Sequence, residues 1–131
     1  MKRDMDLIRQ LMLKLEAIPL RAGGIYHIEP HDPEISVEGY DNDTIAYHLS
    51  LIKDAGLVDS GNVNPMVGIG YRGFTWAGHD FIDSVRDPEI WQKTEGALKH
   101  AGGFTLDFAK ALAKGFIKKK IEQHTGVDLE F

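Results

Sequence analysis

Leu7, Ile8, Leu11, Met12, Leu15 and Ile18 recur at spacings of one, three and four residues, which predicts a helix over residues 4–17 with one buried stripe. Pro19 ends it. The next stretch, LRAGGIYHIEPHDPEISVEGY, holds Gly23, Gly24, Pro30 and Pro33 around two short β-prone runs, IYHI and ISVEGY. These predict two short strands, paired as a hairpin or along an edge. Residues 41–56 return to helical spacing: Ile45, Leu49, Ile52 and Gly56 fall on one side, with His48 and Ala55 at its border. Asp41 or Asp43 can cap the start, and Gly56 can close the end.

LVDSGNV and IGYRGFTW then alternate as two strands joined by a turn around Asn64 and Pro65. Thr75 caps a predicted helix from Trp76 to Val85, with Trp76 or Ala77, Phe81, Ile82 and Val85 buried. Asp87 followed by Pro88 starts another, running to about Lys99. After HAGG, a long helix is predicted from Thr105 to about His124, its apolar side carrying Leu106, Ala109, Leu112, Ala113, Phe116 and Ile117, with Gly126 as the stop. The pattern predicts an α+β core at residues 1–86 and a helical extension at 87–131.

The run AYHLSLIKDAGLV, with Ala46, His48, Leu49, Ile52, Ala55, Gly56, Leu57 and Val58, resembles the third helix and first wing strand of winged helix-turn-helix repressors of bacteria. Including MKRDMDLIR at the start and FTWAGHDFIDSVRD after the second strand, the whole chain is similar to a family of short bacterial and phage proteins classed as a domain of unknown function. The resemblance implies a winged-helix core in which this run forms the third helix and the first wing strand. It departs in one respect, because the glycine- and proline-rich strand segment stands where the second helix belongs.

On that implied reading helix Asp43, Tyr47, Ser50 and Asp54 point outward, flanked by Ala46 and Lys53. If double-stranded DNA binds, the expected contacts are Thr44, Tyr47, Ser50 and Lys53 on the helix, with Asn62, Asn64 and Arg72 on the wing. Charge works against this. The chain has 15 basic and 20 acidic side chains, net −5. Residues 25–59 hold Glu29, Asp32, Glu34, Glu38, Asp41, Asp43, Asp54 and Asp59 against Lys53 alone, a local −7 that repels phosphate. The alternative expectation is the same scaffold used for protein contact, including an acidic face that meets a basic partner as a phage-type inhibitor does.

Lysines concentrate instead in the last helix, where Lys110, Lys114 and Lys118 form a stripe and Lys119 and Lys120 widen it. That helix is expected to pair a homodimer by burying Leu112, Phe116 and Ile117, with Gly115 permitting close approach of another backbone. His27, Glu29 and His31 would converge on a divalent metal if they shared a strand face, but an ordinary polar loop with no metal is expected there. His79 and Asp83, one helical turn apart, are expected to make a surface hydrogen bond. Trp76, Phe81, Trp91 and Phe116 are expected in the core, and the glycine pairs at 23–24 and 102–103 in turns. No nucleophile, oxyanion hole or phosphate loop accompanies these residues, so no enzyme activity and no cofactor are expected. With no cysteine, no secretion signal and no long apolar window, the expectation is a soluble cytoplasmic regulator.

Overall fold

The computed structural model describes residues 1–101 and 105–126. The elements follow in order as helix α1 (Met5–Glu16), strand β1 (Tyr26–Ile28), a 3₁₀ turn (Pro33–Ile35), α2 (Asn42–Asp54), β2 (Val58–Asp59), β3 (Ile69–Tyr71), β4 (Gly73–Phe74), α3 (Trp76–Val85), α4 (Pro88–Ala101) and α5 (Leu106–Thr125). Helices with small antiparallel sheets make it an α+β protein. It divides into two compact units, Met1–Asp80 and Phe81–Phe131, so the division falls inside α3.

In the first unit, α1 buries Leu7, Ile8, Leu11, Met12 and Leu15 on the stripe its spacing predicts. It packs on α2, the 3₁₀ turn and β4. Each such leucine removed from water contributes on the order of 1.5–3 kcal/mol. β1 pairs antiparallel with β3, matching Tyr26 with Tyr71 and Ile28 with Ile69, and β2 pairs antiparallel with β4 through Val58 and Phe74. The Ile69–Phe74 stretch therefore serves β1 with its first half and β2 with its second. The Arg72 N–H continues the β2 contact by donating to the Asp59 carbonyl at 2.8 Å. Tyr71, 1% exposed, donates its hydroxyl to the Leu15 carbonyl at 2.9 Å, tying the sheet to the end of α1. Burial, followed by the nearby Glu16 charge, pushes that phenol up to about 12.

The expected strand ISVEGY does not form. Pro33 sits at the start of the 3₁₀ turn, where its missing N–H costs nothing, and β1 takes its partner from β3 instead. Ile35 and Val37 are buried all the same. His48 also departs from its expected border position, because its ring is wholly buried. Its Nε2 accepts the Asp4 N–H at 2.8 Å, which leaves Nδ1 as the donor to the Thr44 carbonyl, also at 2.8 Å. One neutral ring thus joins the entry of α1 to the first turn of α2.

In the second unit, α4 and α5 pack as a helical hairpin, with Ala109 and Ala113 buried. Asp87 caps α4 through the amides of Glu89 and Ile90, and its other oxygen receives Lys120 from the far end of α5 at 2.8 Å. The antiparallel arrangement follows from that contact. The Lys120 hydrogen bond, with the Ile90 amide, outweighs burial and holds the Asp87 carboxyl below the usual carboxylate range.

Phe81, Ile82 and Val85 of α3 are buried as expected. Trp76 and Ala77 are not, and Trp76 is 84% exposed. The buried side of α3 begins at Gly78, where an added Cβ would lie 1.9 Å from the Leu57 carbonyl oxygen, and Trp76 points away from it. The glycine pair at 23–24 forms a turn, with the Gly24 N–H donating to the Arg21 carbonyl, while the pair at 102–103 lies outside the described residues.

Replacing His48 with leucine strands the Asp4 N–H, and is expected to lower stability by about 1–3 kcal/mol in urea unfolding, with His48→Gln costing less. Burial acts to raise the Asp4 carboxyl, but the Tyr40 hydroxyl at 2.7 Å and the Leu7 and Asp6 amides together leave it below its ordinary 3.8. A carboxylate depressed on folding stabilises fully above the unfolded value and ceases to do so as pH falls through the folded one. The melting-temperature gap between the wild type and Asp4→Asn should accordingly be constant at neutral pH and narrow as the pH drops below 3.8.

Candidate functional site

Helix α2 begins where the Asp41 carboxylate accepts the Thr44 N–H at 2.8 Å, which outweighs the small effect of burial and lowers the Asp41 pKa. It ends where Gly56 takes a left-handed φ of 72° and Leu57 returns its N–H to the Ile52 carbonyl. Ile45, His48, Leu49 and Ile52 are buried between these ends. Asp43, Tyr47, Ser50 and Asp54 are therefore exposed on the opposite side, with Ala46 and Lys53 half-buried at its edges, as the spacing predicts. Tyr47 stands with its ring edge-on to His48, centroids 5.5 Å apart, so the exposed phenol is positioned by the buried imidazole.

Thr44 does not join this outward set. Its N–H is held by Asp41 and its carbonyl by His48, and the residue is half-buried.

The loop from Ser60 to Gly68 folds back toward α2, and Lys53 Nζ donates to Asn64 Oδ1. Asn62 is exposed and adopts a left-handed φ of 61°, a conformation asparagine tolerates. The Arg72 guanidinium lies 3.9 Å from the Asp59 carboxylate, both half-exposed. Helix and loop thus come together as expected, but each of the two cations on this face already has a partner. Asp43 and Asp54 remain exposed beside them.

Three apolar side chains of the loop were not singled out by the periodicity. Val63 is 39% exposed, Val67 56%, and Met66 entirely so. The only signal for them is the sequence NVNPMVG itself, in which large apolar residues interrupt a turn that has no core to bury them. Backbone constraints set the loop. Gly68 has φ +85°, and a Cβ there would fall 2.1 Å from the Ile28 carbonyl oxygen, while one at Gly70 would meet the Ser60 carbonyl at 2.5 Å. The start of β3 can lie this close to β1 and to the end of β2 only without side chains at these two positions.

Elsewhere the sequence candidates separate. Leu112, Phe116 and Ile117 are half-buried on a helix that packs on α4, and Phe108 and Ile121 are the exposed large apolar residues of α5. A Cβ added at Gly115 would meet nothing within 4 Å among the described residues. His79 and Asp83 are not hydrogen-bonded to each other as expected: Asp83 pairs with Arg86 at 3.0 Å, and the His79 ring packs edge-on against Phe74. Among the described residues no helix is long and apolar enough to cross a membrane.

A family model described as "Hypothetical protein (DUF2513)" matches residues 2–104. A Haemophilus influenzae protein, carrying the name "Uncharacterized protein", is 32% identical over 125 residues, covering 92% of this chain and 99% of the relative. No solved structure matches the chain significantly. The chain belongs to the DUF2513 family.

Alanine at Gly68 is expected to destabilise the protein by more than about 1 kcal/mol, since it combines a left-handed backbone with a clash against backbone oxygen. Thermal or urea unfolding of Gly68→Ala checks this.

Proposed function

We propose that this member of the DUF2513 family is a small non-enzymatic regulatory module, built on a winged-helix-like unit, whose α2 and β2–β3 loop bind a protein partner. The winged-helix reading is supported by the order of elements. A helix, a strand, a short 3₁₀ turn in place of the second helix, the outward-facing α2 and three further short strands follow one another, with β1 paired to β3 and β2 to β4.

The observation that carries the choice of partner is the composition of the shared face. A DNA-reading surface keeps its cations available for phosphate and base edges. Here Lys53 is bonded to Asn64 and Arg72 faces Asp59, while Asp43 and Asp54 project beside them. Tyr47, Val63, Met66 and Val67 supply aromatic and apolar area of the kind that anchors protein interfaces. A basic protein surface complements the acids and covers the apolar loop. Binding to double-stranded DNA is the second reading, favoured by the outward placement of Tyr47 and Ser50 next to Lys53.

A photo-crosslinking residue at Tyr47 is expected to capture a protein, and Met66→Asp to abolish the capture. The same chain should leave random duplex DNA unretarded in an electrophoretic assay at about 50 mM salt. Retardation that Lys53→Glu with Arg72→Glu eliminates would overturn this reading in favour of DNA. Sedimentation of Leu112→Asp tests the expected homodimer separately, because a dimer paired through that side of α5 becomes monomeric.

A further inference from the structure

Strand β1 pairs with β3 alone among the described residues, so one of its edges is open. A cleft of about 300 Å³ lies beside it, and all three residues of β1 line that cleft. Successive side chains of a strand point to opposite faces, so a cleft that touches three in a row follows the strand's edge. No residue of β3 lines it, which puts it on the open edge. The closed side is fastened twice, by the ladder to β3 and by the His27 ring, whose Nε2 lies 2.9 Å from the Val67 carbonyl. The open edge is therefore preformed.

The rest of the cleft has two characters. Ile18 and Pro19, just beyond α1, and Ile35 of the 3₁₀ turn present apolar surface, while Asp32 and Glu34 present carboxylates. Ile28 and Ile35 are buried, and Pro19 and Glu34 are exposed, which gives an apolar floor under an acidic rim. Little in the neighbouring sequence neutralises that rim. Residues 25–59 hold eight acids against Lys53, which is itself bonded to Asn64. An open strand edge offers backbone N–H and C=O groups at the spacing of another strand, and the pocket beside it then selects a side chain.

We propose that the open edge of β1 takes an extended, basic segment of a protein, which adds a strand there and sets a lysine or arginine against Asp32 and Glu34. The aliphatic stem of such a side chain covers Ile18, Pro19 and Ile35, and its cation reaches the carboxylates beyond them. Polyanions are repelled by the same rim. A strand of three residues makes a short ladder, so the ladder orients the segment and the anchored cation selects it. The site is separate from the α2 face and does not depend on which macromolecule that face binds.

The test selects random heptapeptides displayed on phage against the intact chain, then measures resynthesised hits by fluorescence anisotropy and amide chemical shifts. Hits are expected to carry lysine or arginine among alternating β-branched or aromatic residues, to bind with Kd below about 1 mM, and to shift the amides of residues 25–28 and 32–35. Only every second amide of an added strand faces its neighbour. N-methylation of one alternate set of peptide amides should therefore abolish binding, and methylation of the other set should spare it. Glu34→Lys should weaken binding at least about tenfold, whereas Glu38→Lys, an exposed acid outside the cleft, should change it less than about twofold. Both variants should melt with the wild type, since both side chains are exposed. Met66→Asp should leave peptide binding intact, which separates this edge from the α2 face. Failure to obtain any hit below about 1 mM overturns the proposal. Hits that survive Glu34→Lys, that tolerate methylation of either set, or that shift only α2 and the 60–68 loop overturn it equally.

Discussion

The buried ring of His48 fixes where α2 can lie. Its two nitrogens have fixed and opposite duties, one accepting from the backbone that enters α1 and the other donating into the first turn of α2. A polar ring taken wholly out of water is tolerated only when both nitrogens are matched, because an unmatched buried group costs more than a satisfied one contributes. The two helices are thereby held in one register along their lengths. Tyr40 and the Leu7 amide converge on the Asp4 carboxylate beside the ring, so the same few residues cap α1 and brace the segment leading into α2.

With α2 fixed in rotation, the character of its outer surface follows. Ile45, Leu49 and Ile52 turn inward with His48, so Asp43, Tyr47, Ser50 and Asp54 must turn outward. The loop that approaches them is steered by backbone contacts rather than by side-chain packing, since Gly68 and Gly70 allow β3 to come close to β1 and to the end of β2. The result is a face where the cations are internally paired and the apolar side chains are not. The proposed protein-partner reading draws on this composition, since charge complementarity governs partner choice and encounter more than raw affinity, and Met66 is fully exposed beside the paired cations.

The turn at Glu29–Asp32 obeys the same logic on the other side of β1. Proline and two local hydrogen bonds replace the packing that a short exposed loop lacks, and a strand places His27 and Glu29 on one side because successive residues alternate. Neither helix spacing nor composition would assemble these groups. Pairing of β1 with β3 brings Val67 to His27, a contact across forty residues of chain.

The residue pattern by itself determined the five helices of the described residues, a cap at Asp41 or Asp43, caps at Thr75 and Asp87, the outward set on α2 and the strand-forming stretches flanking Pro65, the second of which the structure divides into β3 and β4. These depend on interactions within a few residues, which a local pattern records. Only tertiary structure decided the rest. The run from Ile35 to Tyr40 has strand-forming residues, yet β1 found a better edge in β3 and Pro33 began a 3₁₀ turn. His48 looked like a border residue because its partner, the Asp4 amide, lies forty-four positions away. Trp76 looked like core because its size suggests burial, whereas the close approach of Gly78 to the Leu57 carbonyl sets which side of α3 turns inward. In each case the deciding partner is distant in sequence, and no local pattern encodes it.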